Sequence, residues 1–291
     1  MSNPDQIQRI LFDQLDIRGV VVGLDSAYQE ILALHEYPPA IKSALGEMLA
    51  AVSLLSSTLK FDGRLLLQAQ GSGPIKAIMA EVNHQHECRA IARYEGEIPD
   101  DASVIDLLGE QGYLVITVEP EEGQRYQGIV PMEKSNLAGC LTDYFEQSEQ
   151  LNTQIHLASD GERAAGFLLQ VMPAAGTKDQ DWEHISHIGA TLSSEELLTL
   201  DNETLLFRLF HEEQCRLYDP ESITFRCDCS RERSANALQF MTEEELLGMI
   251  EEQGVIEVSC QFCNAHYAFD EADVRAMHTD SAHVQKSDQI H

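Results

Sequence analysis

The sequence predicts an α+β chain in three parts: an N-terminal domain of mixed helix and sheet, a helical linker, and a small C-terminal zinc-binding domain. Three observations lead there. Strand-like, β-branched runs alternate with two long helical stretches through residues 1–177. Residues 178–226 then become acidic, with capped helices too short to stand alone. Four of the seven cysteines crowd into the last quarter of the 291 residues.

In the first part, Ile17 to Leu24 reads as a buried strand because Val and Ile run together without polar alternation. Pro38-Pro39 marks a loop, and Pro39 suits the first turn of a helix from Ala40 to Leu59. That helix carries Ile41, Leu45, Met48, Leu49 and Val52 at helical spacing. Strands follow at 64–70, 75–82, 88–94, 113–118 and 126–130, separated by turn chemistry such as Gly71-Ser72-Gly73-Pro74 and Glu121-Glu122-Gly123. A helix over 137–150 is N-capped by Ser135 or Asn136, and strands at 154–158 and 164–171 close the part. Pro173, Gly176 and the polar run after them set its end at 177.

From Lys178 to Asp219 there are ten acidic and three basic residues. Ser193 and Glu196 form a capping box, and Leu205, Leu206, Leu209 and Phe210 make i,i+4 pairs on a further short helix. Such helices need a packed neighbour, and the zinc module is the expected one. The module itself, 227–270, has a second capping box at Thr242 and Glu245. Its helix stops at Gly254, and two short strands flank the Cys260–Cys263 turn. Residues 271–291 read as a flexible polar tail.

With 49 acidic against 19 basic residues, a net charge of −30, and no Lys/Arg block, the chain is repelled by nucleic acid and by anionic membranes. No run approaches the roughly 18 apolar residues that cross a bilayer. The opening MSNPDQIQRI lacks a leader pattern, so a cytoplasmic location is expected. No G-x-S-x-G, H-E-x-x-H or Walker motif is present, and no enzymatic activity is expected. The Gly71–Pro74 element is a turn between strands, since Pro74 removes an amide a phosphate loop would use.

Cys227, Cys229, Cys260 and Cys263 form a C-x-C and a C-x-x-C separated by thirty residues. Four thiolates at this spacing suit one tetrahedral Zn²⁺ per chain. His266 and His278 lie nearby, but four sulfurs already complete the set. Cys88, Cys140 and Cys215 have no cysteine at ligand spacing and read as ordinary thiols. The module holds about 45 residues, too few for an independent core, and bound zinc can contribute about 10–16 kcal/mol to the folding of such domains. Oxidising the ligands should therefore unfold it. A zinc-ribbon protein-binding module with constitutive structural metal is the alternative. A thiol–disulfide oxidoreductase fits less well, because its C-x-x-C belongs at a helix N-terminus and this one lies between strands.

The pattern Cys227-Asp228-Cys229 with Cys260-Gln261-Phe262-Cys263 resembles the redox-switched 33-kDa heat-shock chaperonin family. Gly71-Ser72-Gly73-Pro74-Ile75, Gly128-Ile129-Val130-Pro131 and Cys140-Leu141-Thr142-Asp143-Tyr144-Phe145 resemble that family's N-terminal domain, so the likeness spans about residues 5 to 270. The resemblance implies an ATP-independent holdase, inactive when reduced and zinc-bound. Oxidation would form the disulfides Cys227–Cys229 and Cys260–Cys263, release the metal, unfold the module and disorder the linker. The active form would be a homodimer that binds unfolding client proteins and passes them to ATP-dependent foldases. Trp182, Leu205, Phe207, Leu209 and Phe210 would lose their cover and are the candidate client-binding residues.

Overall fold

Between residues 39 and 56, Ala, Leu, Ile, Val and Met recur on every side of the helical turn, and a helix apolar all round has to be buried. The computed structural model, which describes residues 5–58, 62–173 and 176–284 (side chains through 278), places this helix between two sheets. Among the described residues the chain divides by its contacts into two units, 1–226 and 227–291.

The first unit opens with strands β1 (Gln6–Phe12) and β2 (Ile17–Leu24), helix α1 (Ser26–Leu32) and the central helix α2 (Pro39–Ser56). Strands β3 (Gly63–Gln70), β4 (Ile75–Asn83) and β5 (Glu87–Tyr94), helix α3 (Val104–Leu108), and strands β6 (Tyr113–Pro120) and β7 (Tyr126–Pro131) follow. Helix α4 (Leu137–Gln147), β8 (Thr153–Ser159) and β9 (Ala164–Val171) come next. Pro39 occupies the first turn of α2, and Asn136 caps α4 by accepting from the Gly139 amide at 2.7 Å. The expected last residue of the α2 helix, Leu59, lies outside the described residues.

One sheet has the order β1-β2-β9-β8 at its centre, the other β5-β4-β3-β6-β7, all antiparallel. Ile41, Leu45, Met48, Leu49 and Val52 of α2 are fully buried with Val22 and Leu168 from one sheet and Leu67, Ile78 and Leu114 from the other. Gly46 and Gly166 permit this spacing. A Cβ on Gly46 would collide with Ser159, and one on Gly166 would sit 2.6 Å from Leu54 Cδ1.

Residues 178–226 form α5 (Asp179–Gly189), α6 (Ser194–Thr199) and α7 (Asn202–Phe210), then β10 (Arg216–Leu217), β11 (Glu221–Ser222) and β12 (Thr224–Phe225). Here the sequence expectation is corrected. The cover for this segment comes from its own unit: Ile185, Leu197, Leu205, Leu206, Leu209 and Phe210 are buried with Ile10, Phe12, Ile17, Val21, Phe167 and Leu169 on the face of the first sheet turned away from α2. The Phe210 ring meets Phe12 edge-on at 5.0 Å. β10 and β11 pair with β1, and β12 runs parallel to β5, so the segment is stitched to both sheets. The physical reason is area. The β1-β2-β9-β8 sheet has an apolar outer face that a small module could not match.

The second unit contains α8 (Arg231–Leu238), α9 (Glu243–Gln253), the hairpin β13 (Ile256–Ser259) and β14 (His266–Phe269), and α10 (Glu271–Val284). The polar stretch from 271, expected to be a tail, is helical as far as Val284. Val274 is fully buried and the Asp270 carboxylate accepts from the Asp273 amide at 2.9 Å. Residues 285–291 of the expected tail lie outside the described residues.

Candidate metal centre

Two short backbone devices bring the cysteines together. After β13, the Cys260 amide donates to the Ala265 carbonyl at 2.8 Å and the Asn264 amide returns to the Cys260 carbonyl at 2.8 Å. Asn264 takes the left-handed conformation, φ 57°, that such a tight turn needs and that Asn tolerates. The C-x-C segment is fixed from the other side. The Ser230 hydroxyl caps α8 by accepting from the Arg233 amide, and Arg233 folds back onto the Asp228 carbonyl at 3.2 Å and onto its carboxylate.

The four sulfur atoms lie within 4.8 Å of one another. Cys227 Sγ is 3.7 Å from Cys260 Sγ, and Cys229 Sγ is 3.3 Å from Cys263 Sγ. A tetrahedron with metal–sulfur bonds of about 2.3 Å has edges of about 3.8 Å, so the set fits one Zn²⁺ with little adjustment. An all-sulfur donor set favours Zn²⁺ over the hard cations. Without a cation the arrangement disfavours thiolates: burial, then the neighbouring thiols, pushes Cys263 well above the usual range. A bound dication reverses that balance by favouring thiolates.

Neither nearby histidine joins the cluster. His266 Nδ1 bonds Ser259 Oγ at 2.8 Å, and His278 bonds the carbonyls of Val274 and Met241, each at 3.1 Å. Cys88 and Cys140 are buried in the first unit and Cys215 is half-buried there. Burial raises Cys88 to about 12, which makes it an inert thiol at neutral pH.

The sequence reading missed one contact at the cluster. The Tyr267 hydroxyl donates to Cys229 Sγ at 3.2 Å, and that bond first, then burial, raises the phenol to about 12. Alternation along β14 sends Phe269 into the core and its i−2 neighbour Tyr267 toward the sulfurs, a signal present in the sequence once the strand is placed.

A family model described as "Hsp33 protein" matches residues 5–270 of this chain. The chain belongs to the Hsp33 family. Among Hsp33 relatives, the 33 kDa chaperonin of Shewanella sp. (strain ANA-3) is 48% identical over 274 residues, covering 94% of this chain and 96% of its own. The 33 kDa chaperonin of Shewanella frigidimarina is 47% identical over 287 residues, covering 99% and 100%. The crystal structure of the 33 kDa chaperonin from Thermotoga maritima superposes with a TM-score of 0.82 at 24% identity, over 96% of this chain and 99% of that one, a likeness of fold. Membership in Hsp33 supports a chaperone role. No helix among the described residues is long and apolar enough to cross a membrane.

Proposed function

We propose that the chain is a redox-regulated, ATP-independent holdase, activated when its four thiolates are oxidised and protecting unfolding proteins from aggregation. One observation carries the reading. Four sulfurs within 4.8 Å sit in a unit whose fully buried apolar side chains among the described residues are Leu246, Ile256, Phe269 and Val274. Bound Zn²⁺ supplies cross-linking there and no reaction step. A thiolate Sγ attacks a peroxide oxygen, cleaving the O–O bond to give a sulfenic acid and hydroxide. A second thiolate displaces hydroxide from that sulfur to form the disulfide; the two sulfurs together have lost two electrons to the peroxide, which leaves as two hydroxides and becomes water on protonation. The resemblance to the 33-kDa chaperonin family implies the pairs Cys227–Cys229 and Cys260–Cys263, and residues two or three positions apart stay in reach after the unit loosens. Two sulfur pairs of the folded site, Cys227 with Cys260 at 3.7 Å and Cys229 with Cys263 at 3.3 Å, run across the two motifs, so peptide mapping of the oxidised protein decides between the pairings.

The resemblance implies that residues 178–226 then undock from the sheet. Three buried polar atoms, Gln154 Oε1 and His156 Nε2 on β8 and Asn202 Nδ2 on α7, have no hydrogen-bond partner among the described protein groups. Each unpaired buried group costs about 1–3 kcal/mol, so docking there is poorly compensated. Once undocked, Trp182, Leu205, Leu209 and Phe210 join Phe207, already 70% exposed, as a client surface, and the surrounding acids keep it dispersed. The active form is a cytoplasmic homodimer that passes clients to ATP-dependent foldases.

The test measures zinc release and suppression of aggregation of a heat-denatured client together, before and after peroxide plus heat. Both should rise together. Equal holding by the reduced, zinc-loaded protein would overturn the proposal and leave a constitutive zinc module.

A further inference from the structure

We infer that Tyr267 is a positioning residue for the metal centre: its hydroxyl, donated to Cys229 Sγ, strengthens retention of the ion and raises the oxidant exposure needed to open the site. The inference rests on the redox reading above but has a separate test.

The geometry is specific. The donor lies 3.2 Å from one of the four clustered sulfurs. Its strand pairs Tyr267 with Val258 on β13, so the backbone that carries it is the hairpin that carries Cys260 and Cys263 at its turn. The phenol thus ties the C-x-C sulfur to the strand following the C-x-x-C. The ring packs against the small core of the unit beside Phe269, which fixes its direction independently of the hydroxyl.

A hydrogen bond to a thiolate is charge-assisted. It draws electron density from the sulfur lone pairs, and those lone pairs are what attack peroxide. Removing it leaves Cys229 more electron-rich and more reactive, and one restraint fewer holds the tetrahedron. Outer-shell partners of metal ligands typically tune affinity by roughly 10- to 100-fold.

The experiment compares the full chain with Tyr267→Phe, which keeps the ring and deletes only the donor. In the reduced state, chelator competition should show zinc affinity roughly 10- to 100-fold weaker. With Co²⁺ in place of zinc, the sulfur-to-metal charge-transfer band should move to lower energy, a change that loss of packing alone does not produce. Peroxide-driven zinc release should be several-fold faster. Installing 3-fluorotyrosine at position 267, a stronger donor, should shift the band and the release rate the opposite way, and it decides the matter if the Phe variant fails to fold. An unchanged band and unchanged release rate, or reduced thermal stability with an unchanged band, would overturn the inference. If wild-type protein itself releases no zinc on oxidation, the redox proposal fails, while the affinity and band comparison in reduced protein still judges Tyr267.

Discussion

The two units solve the same problem by different means. In the first, α2 is wrapped by two sheets and nearly every one of its turns is fully buried. Deleting any one side chain there, such as Leu49→Ala, costs about 2–5 kcal/mol against a large remainder. In the second, the fully buried apolar side chains among the described residues are Leu246, Ile256, Phe269 and Val274, and those packed against them are only half-covered. The difference teaches where each draws stability: the first from area removed from water, the second, on the zinc reading proposed above, from its four sulfurs. The largest effect follows. Chelating the metal from reduced protein removes about 10–16 kcal/mol in small zinc domains, more than such a core can replace. Amide exchange should therefore become fast across 227–284 while β3 and β4 stay protected. Retained protection in 243–269 after chelation would break the comparison.

The seam between α5–α7 and the sheet is intermediate, and the next prediction probes it. Phe210 is 1% exposed and meets both Phe12 and Phe167. Phe210→Ala should cost about 3–5 kcal/mol, felt locally because the sandwich around α2 does not depend on that ring. Proteolysis within 178–226 should accelerate in the reduced, zinc-loaded protein, and holding activity should appear without oxidant. Unchanged cleavage would show that the strands β10 to β12, rather than the apolar seam, hold the segment in place.

The two units also answer pH with opposite sign. Burial raises Glu47 on α2 from 4.5 to about 7. A carboxyl raised in this way stabilises the folded state fully below 4.5, and the contribution is lost as pH rises through 7. With zinc bound as proposed, the second unit loses its ligands as pH falls, because thiols must be deprotonated to hold a metal. Glu47→Gln should raise first-unit stability at pH 8 by about 1–2 kcal/mol, less than the full shift implies because the side chain borders a water-accessible cavity. At pH 4 the gain should vanish. Urea midpoints at the two values check it, and an equal gain at both would place the effect in packing.

Long apolar patterns were legible in the sequence and short cooperative ones were not. β2 and β9 read as continuous β-branched or aliphatic runs because both faces are covered, one by α2 and one by the seam. The clustering of the four cysteines followed from spacing alone. β1 stayed hidden because Gln8 breaks its alternation, although Gln8 is 8% exposed and its amide donates to the Tyr218 carbonyl at 3.0 Å. α5 is mostly polar, and its place is set by Ile185 and by Gly189, whose missing Cβ makes room for Gln154 and Leu169. α10 carried a readable start at Asp270 and Asp273, whose side chains and amides bond reciprocally, but its polar composition masked it. The cover of residues 178–226 could not be read, because an amphipathic helix specifies that it needs a partner and not which one.

The smallest effect is the most discriminating, because the same motif occurs on both sides of the comparison. Ser193 with Glu196 opens α6, and Thr242 with Glu245 opens α9, each with both reciprocal bonds made. Replacing either hydroxyl residue by Ala costs about 1 kcal/mol. For Ser193→Ala the loss falls on a segment docked by contacts, and it should appear as slightly faster cleavage within 178–226 with zinc affinity unchanged. On the zinc reading proposed above, folding and metal binding in the second unit are one equilibrium, so Thr242→Ala should appear as zinc affinity weakened by about fivefold, the same free energy read through the metal. Chelator competition on the two variants separates the cases. Equal affinities would mean that α9 is already folded before the thiolates close on the ion, and that the small core carries more of the unit than the four buried side chains among its described residues suggest.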